Sequence, residues 1–196
     1  RHTRLQGDWS SDVCSSDLIM AISGLTHPVM TWIGPKSVNH FPPKLSVSTD
    51  TLTAIPNVLA ANNVTHAHMV KVTPTEDGPK LQVTVNQDKP RLYFDLISKK
   101  PIPHKDQSQA QWLARYYTGL EAPIQAITFQ TQFDSSYPKV NRLLPVYKIQ
   151  FKDKQHTTAF IYTETNSLAY LTNTTKIKIQ KVFTNLHTLD RKSTRL

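Results

Sequence analysis

Leu144–Leu171 reads LPVYKIQFKDKQHTTAFIYTETNSLAYL, and its reading decides the fold. Tyr147, Ile149 and Phe151 alternate with Lys148 and Gln150. That period of two marks a strand with one buried and one wetter face. The polar stretch Lys152–His156 predicts a connection, and TTAFIYT at Thr157–Thr163 predicts the returning strand. Glu164-Thr165-Asn166-Ser167 predicts a turn, after which the strand pattern resumes over Leu168–Leu171. Working outward, Leu81–Ser98 repeats the plan as LQVTV, NQDKP and RLYFDLIS. Two copies of one unit predict tandem modules in place of one continuous enzyme fold.

The elements around these hairpins complete each unit. Thr49–Asn62 predicts a helix with Leu52, Ile55 and Leu59 on one stripe. Pro56 would either kink it or mark its true first turn. Ala67–Thr73 predicts a strand, Pro74–Pro79 a turn, and Leu81–Val85 with Arg91–Leu96 a hairpin. In the second unit Asp106 or Ser108 can cap a helix over about Gln109–Thr118. Leu113, Tyr116, Tyr117 and Leu120 fall on one face of it, and Gly119 ends it. Ile127, Phe129, Thr131 and Phe133 alternate as a strand. Each unit is then helix, strand, strand, strand, an α+β plan in which a small antiparallel sheet covers one helix.

Both ends of the chain look foreign. Asp8–Leu18 (DWSSDVCSSDL) is the in-frame translation of a common sequencing-library adapter, and the opposite strand of that adapter gives DRKSTRL, which is Asp190–Leu196. Residues 1–18 and 190–196 are therefore set aside from fold reasoning, and the remainder is expected to be an internal piece of a longer product. The chain has 23 Lys and Arg and 14 Asp and Glu, a net charge of +9. Dropping Arg1, Arg4, Arg191, Lys192, Arg195 and Asp8, Asp12, Asp17, Asp190 leaves 18 and 10, or +8. The one cysteine, Cys14, falls in the adapter. The rest offers no thiol nucleophile, thiolate ligand or disulfide.

The basic excess is spread over lysines such as Lys71, Lys80, Lys148 and Lys152, with only Arg91, Arg115 and Arg142 outside the adapter segments. A nucleic-acid binder would cluster arginines among aromatics, so no nucleic-acid partner is expected. A solvated basic surface is the better reading, with weak attraction to anionic membrane lipid as a middle case. Ile19–Ile33 (IMAISGLTHPVMTWI) reads as the end of a transmembrane helix, with Trp32 at the interface and Gly34-Pro35 as the stop. A signal-peptide remnant is its alternative.

No catalytic set emerges. Glu76 and Asp77 are neighbours in a turn, Asp134 is isolated and Glu164 lies in a hairpin turn. Hydrolytic carboxylates must instead converge across a cleft. Ser135-Ser136 lacks a nucleophile elbow, and five glycines form no phosphate loop. Tyr116, Tyr117, Phe129, Tyr147, Phe160 and Tyr162 read as core. His66 and His68 share a strand face but have no third ligand, and His40, His104 and His156 fall in loops.

With these residues in hand, a resemblance can be stated. WLARYYTGL (112–120), AITFQTQF (126–133), NRLLPVYKIQF (141–151), AFIYTETNSLAYL (159–171) and VFTNLHTL (182–189) resemble a PepSY domain of a PepSY-associated membrane protein. The match runs over nearly all of residues 19–189, strongest at Asn141–Phe151 and weaker in the first unit. The family's turn commonly carries Thr-Gly before its last strand, where Asn166-Ser167 stands here. Asn tolerates a left-handed turn position, so the hairpin should survive.

The resemblance implies two PepSY-like modules, residues 45–100 and 104–182, hung between membrane segments at 19–33 and 183–189. They would face the extracytoplasmic side of a bacterial inner membrane. It implies a binding or regulatory role without catalysis, with membrane lipid and a protein partner or peptidase as partners. Its alternative implication is the soluble segment of a haem-containing electron-transfer protein serving iron (ferric siderophore) uptake. There His187, in the family's Phe-x-x-Leu-His setting, and His27 would hold the haem.

Overall fold

A computed structural model describes residues 32–193, with side chains described as far as residue 183. The protein is α+β, with two small antiparallel sheets and a few helices. Pro35–Asn173 form one compact unit that holds both sheets.

The first half opens with two short helices where one was expected, α1 (Thr49–Thr53) and α2 (Ile55–Ala61). Ser48 caps α1 by accepting from the Thr51 N–H, and Pro56 sits in the first turn of α2. There its missing N–H costs nothing, so the proline starts a second helix and does not kink one long one. Strands β1 (Met69–Thr75), β2 (Gly78–Thr84) and β3 (Leu92–Phe94) form a sheet in the order β1-β2-β3.

The turn expected over Pro74–Pro79 shrinks to Glu76-Asp77, because both prolines lie in strands and face each other across the ladder. The sheet tolerates them for a physical reason. Strand β1 is an edge, and β3 pairs with β2 only at Leu81–Val83, so neither proline nitrogen owes a ladder bond. One face of this sheet carries Leu81, Val83 and Phe94, which bury Val58 of α2.

The second half holds α3 (Lys105–Thr118), then β4 (Ile124–Gln130), β5 (Val146–Phe151), β6 (Thr158–Tyr162) and β7 (Ser167–Thr172) in the order β4-β5-β6-β7. The expected alternation holds. Tyr147, Ile149 and Phe151 are buried under α3 with Ala159, Ile161 and Leu171, against Ala110, Leu113, Ala114 and Tyr117. This sheet exceeds the three-strand plan by one, because Ser167–Thr172 folds back on β6 as a strand of its own. Phe133, expected on a strand, leaves the sheet and joins Tyr137, Val146 and Phe160 on the opposite face. The second face of this sheet is therefore covered over Val146 and Phe160, while Lys148 and Gln150 stay partly exposed.

Gly119 closes α3 with φ +65 while its N–H donates to the Arg115 carbonyl at 2.7 Å. A Cβ there would also meet the Val38 methyls at 3.4 Å. Gly119→Ala is expected to cost about 1 kcal/mol, the left-handed penalty of an L-residue. Urea denaturation should show it as a lower midpoint at unchanged slope.

Helix α4 (Thr174–Ser193) falls outside the Pro35–Asn173 unit and is described by itself. It spans the expected membrane segment at 183–189 and runs on through Asp190–Lys192. Among the described residues no helix is long and apolar enough to cross a membrane. The expected transmembrane stretch Ile19–Ile33 lies, but for its last two residues, outside the described residues.

Candidate functional site

The second face of the first sheet is polar and yet buried. The ladder sets Lys71, Gln82 and Tyr93 in one row across β1, β2 and β3. Since side chains alternate, that row points away from the Leu81–Phe94 core. It meets the β6–β7 turn and the first turns of α3. Gln82 Nε2 donates to Tyr93 Oη and to the Thr163 carbonyl at 2.9 Å. Lys71 Nζ donates to the Glu164 carbonyl, and Asn166 Nδ2 donates to Thr73 Oγ1 at 2.6 Å. Gln109 Nε2 bridges the Pro74 carbonyl and Asn166 Oδ1. The two sheets are therefore joined by a hydrogen-bonded seam, while each keeps its own apolar cluster.

Two charged residues anchor the seam. The Arg91 side chain is fully buried, pairs through Nη2 with Glu164 Oε2 at 3.0 Å, and stacks its guanidinium 5.1 Å from the Tyr162 ring centre. Its Nε and Nη1 have no hydrogen-bond partner among the described residues. Asp106 is 2 % exposed in the first turn of α3. Its Oδ2 accepts the Arg91 backbone N–H at 3.0 Å, and its Oδ1 accepts the Tyr93 hydroxyl at 3.2 Å.

Burial raises the Asp106 carboxyl above its ordinary value, and the donors around it, the Arg91 N–H foremost, offset only part of that. Burial likewise lifts the Tyr93 and Tyr147 hydroxyls, with the Asp106 charge adding to the effect. Lys71 is lowered, mainly by burial.

A cleft of about 450 Å³ opens beside this seam, with Val64, Leu92, Phe94, Ile102 and Tyr147 among its apolar lining and Arg91, His104, Lys105 and Asp106 among its polar lining. Its apolar walls suit an apolar side chain, and the polar lining residues offer charged groups of both signs.

Asp106 reaches this position because α3 begins at Lys105, four residues before the expected start. His104, with φ 57, is the residue before the helix and makes no side-chain cap bond. Asp106 was a candidate cap. It serves instead as an acceptor for donors outside its own helix, and Ser108 lies inside α3, donating to the Lys105 carbonyl.

Of the histidines and carboxylates weighed in the sequence, Glu164 reaches the seam and His104 lines the cleft; the others do not gather here. His66 and His68 are exposed just ahead of β1, and His40 and His156 are exposed in loops. Asp77 pairs with Lys105, and Asp134 accepts from Ser136 and Tyr137 within its own loop. His27 lies outside the described residues, and His187 falls on α4 where side chains are not described. Among the described residues no group of three or more His, Cys, Asp or Glu could hold a metal ion.

Sequence reasoning missed Arg91, Tyr93, Gln82 and Asn166. Alternation around Leu81 and Val83 assigns Gln82 to a solvent face, and nothing local reveals that the second sheet's turn covers it. No protein-family model, curated protein or solved structure matches this chain.

Proposed function

We propose that this chain is a non-catalytic, PepSY-type binding and regulatory domain on the extracytoplasmic side of a bacterial inner-membrane protein. One observation supports the reading above others: a helix packed on a small antiparallel sheet occurs twice in succession, α2 on β1–β3 and α3 on β4–β7. The cleft beside the seam gives such a domain a place to take an apolar side chain of a protein partner.

The partner class this reading favours is a peptidase. The test is a titration of the full chain into a thermolysin-type zinc peptidase turning over a small chromogenic peptide. Saturable slowing, with the chain itself left intact, is the expected result. Unchanged turnover at about 0.1 mM chain, where even a weak complex of about 5–6 kcal/mol would register, overturns the peptidase-regulating reading.

A further inference from the structure

The seam between the sheets differs from the rest of the interior. The three apolar clusters are built of aliphatic and aromatic side chains; here the buried contacts are a carboxyl, a guanidinium, amides and hydroxyls. At its centre lies Asp106, contributed by α3 and bonded to two groups of the first sheet, the Arg91 N–H and the Tyr93 hydroxyl. From the second sheet, Tyr147 is the titratable neighbour, while the buried Thr163 hydroxyl has no hydrogen-bond partner among the described residues. The neighbouring charges are otherwise engaged. The Arg91 guanidinium is turned to Glu164, Lys71 to the Glu164 carbonyl, and Lys105 to Asp77. His104, the residue before α3, is exposed. Asp106 therefore has hydrogen-bond donors but no cation in direct contact, which is a costly setting for a full negative charge.

We propose that the Asp106 carboxyl is a proton-operated latch, whose protonation tightens the hold of the three-stranded sheet on α3 and the four-stranded sheet. When the seam is closed the acid keeps its proton more readily than when the seam is open and wet. The stabilisation of closure is complete below 3.8, the ordinary carboxyl value, and is lost as pH rises through the raised value in the closed form. The device acts at the seam, where opening exposes mostly polar groups and leaves both apolar clusters intact. Acid conditions lock the two sheets together, and higher pH lets them part.

Two measurements on the full chain test this. Carbon-13 NMR of side-chain carboxyls should give Asp106 a titration midpoint above 3.8. Hydrogen exchange, corrected for the intrinsic pH dependence, should show the Arg91 amide losing about tenfold in protection per unit of upward shift as pH crosses that range. The Ile149 and Ile161 amides, inside the second sheet, should not show the step. In Asp106→Asn, neutral at every pH, the step should vanish. A midpoint at or below 3.8, or an equal step in Asp106→Asn, overturns the latch. If that variant does not fold, the wild-type carboxyl titration decides alone.

Discussion

Arg91→Ala should lower the stability of the folded chain by about 3 kcal/mol, the lower part of the range for breaking a buried ion pair. The side chain is wholly buried and its partner Glu164 is 14 % exposed, so one charge loses its counterpart where water reaches it only partly. The stacking over Tyr162 goes as well. Two features hold the loss near the lower end: the partial wetting of Glu164, and the two guanidinium nitrogens that already lack partners.

Glu164→Gln should cost a similar amount, about 3 kcal/mol: an amide oxygen can still accept from Nη2, but the wholly buried guanidinium loses its counter-charge. Arg91→Met with Glu164→Gln, which strands neither charge, should cost less than either single change. Urea unfolding gives all three values. A loss under about 1 kcal/mol for Arg91→Ala would mean that the seam is not sealed from water.

The strands and helices were legible wherever one side of an element faces water. Tyr147, Ile149 and Phe151 alternate cleanly because Lys148 and Gln150 point to the less buried face, and the helix stripe Leu113–Tyr117 ends at Gly119 where a left-handed residue is needed. Legibility failed where both faces are covered. Gln82 looks like an outward residue of β2, yet it is 1 % exposed, because a segment from over eighty residues away packs on it. Pro74 and Pro79 read as turn markers, since a local reading cannot know which strand edges stay unpaired.

Asn166 shows both sides of the problem. Its left-handed conformation, φ 55, was foreseeable from the residue type, but its bond to Thr73 depends on the packing of the two sheets. The seam is a long-range feature, so the candidate site was the least readable part of the chain. Helix α4 carries the converse lesson. It runs through Asp190–Lys192, residues read as adapter, because helical hydrogen bonding asks only for permissive side chains.

Phe160→Ala should be the most damaging single change on the outer face of the second sheet, costing about 3–5 kcal/mol. Phe160 is fully buried on β6, stacks on Tyr137 at 4.6 Å between centroids and 16° between planes, and lies 6.0 Å from the Tyr170 ring. Tyr137 is sandwiched in turn by Phe133 at 5.6 Å. The face opposite α3 is thus closed by the 131–145 loop resting on one ring stack. Truncation leaves a cavity under rings whose backbone is pinned by the Tyr137 hydroxyl donating to the Leu143 carbonyl at 2.7 Å, so collapse into the void is restricted and the cost stays high.

Phe133→Ala, at the half-buried outer end of the stack, should cost only about 1–2 kcal/mol. Thermal unfolding should place Phe160→Ala about 10 °C below the parent, with loss of near-ultraviolet tyrosine dichroism. A Phe160→Ala loss no larger than that of Phe133→Ala would mean that the loop does not seal this face, and the second sheet would have to be stable with one side open to water.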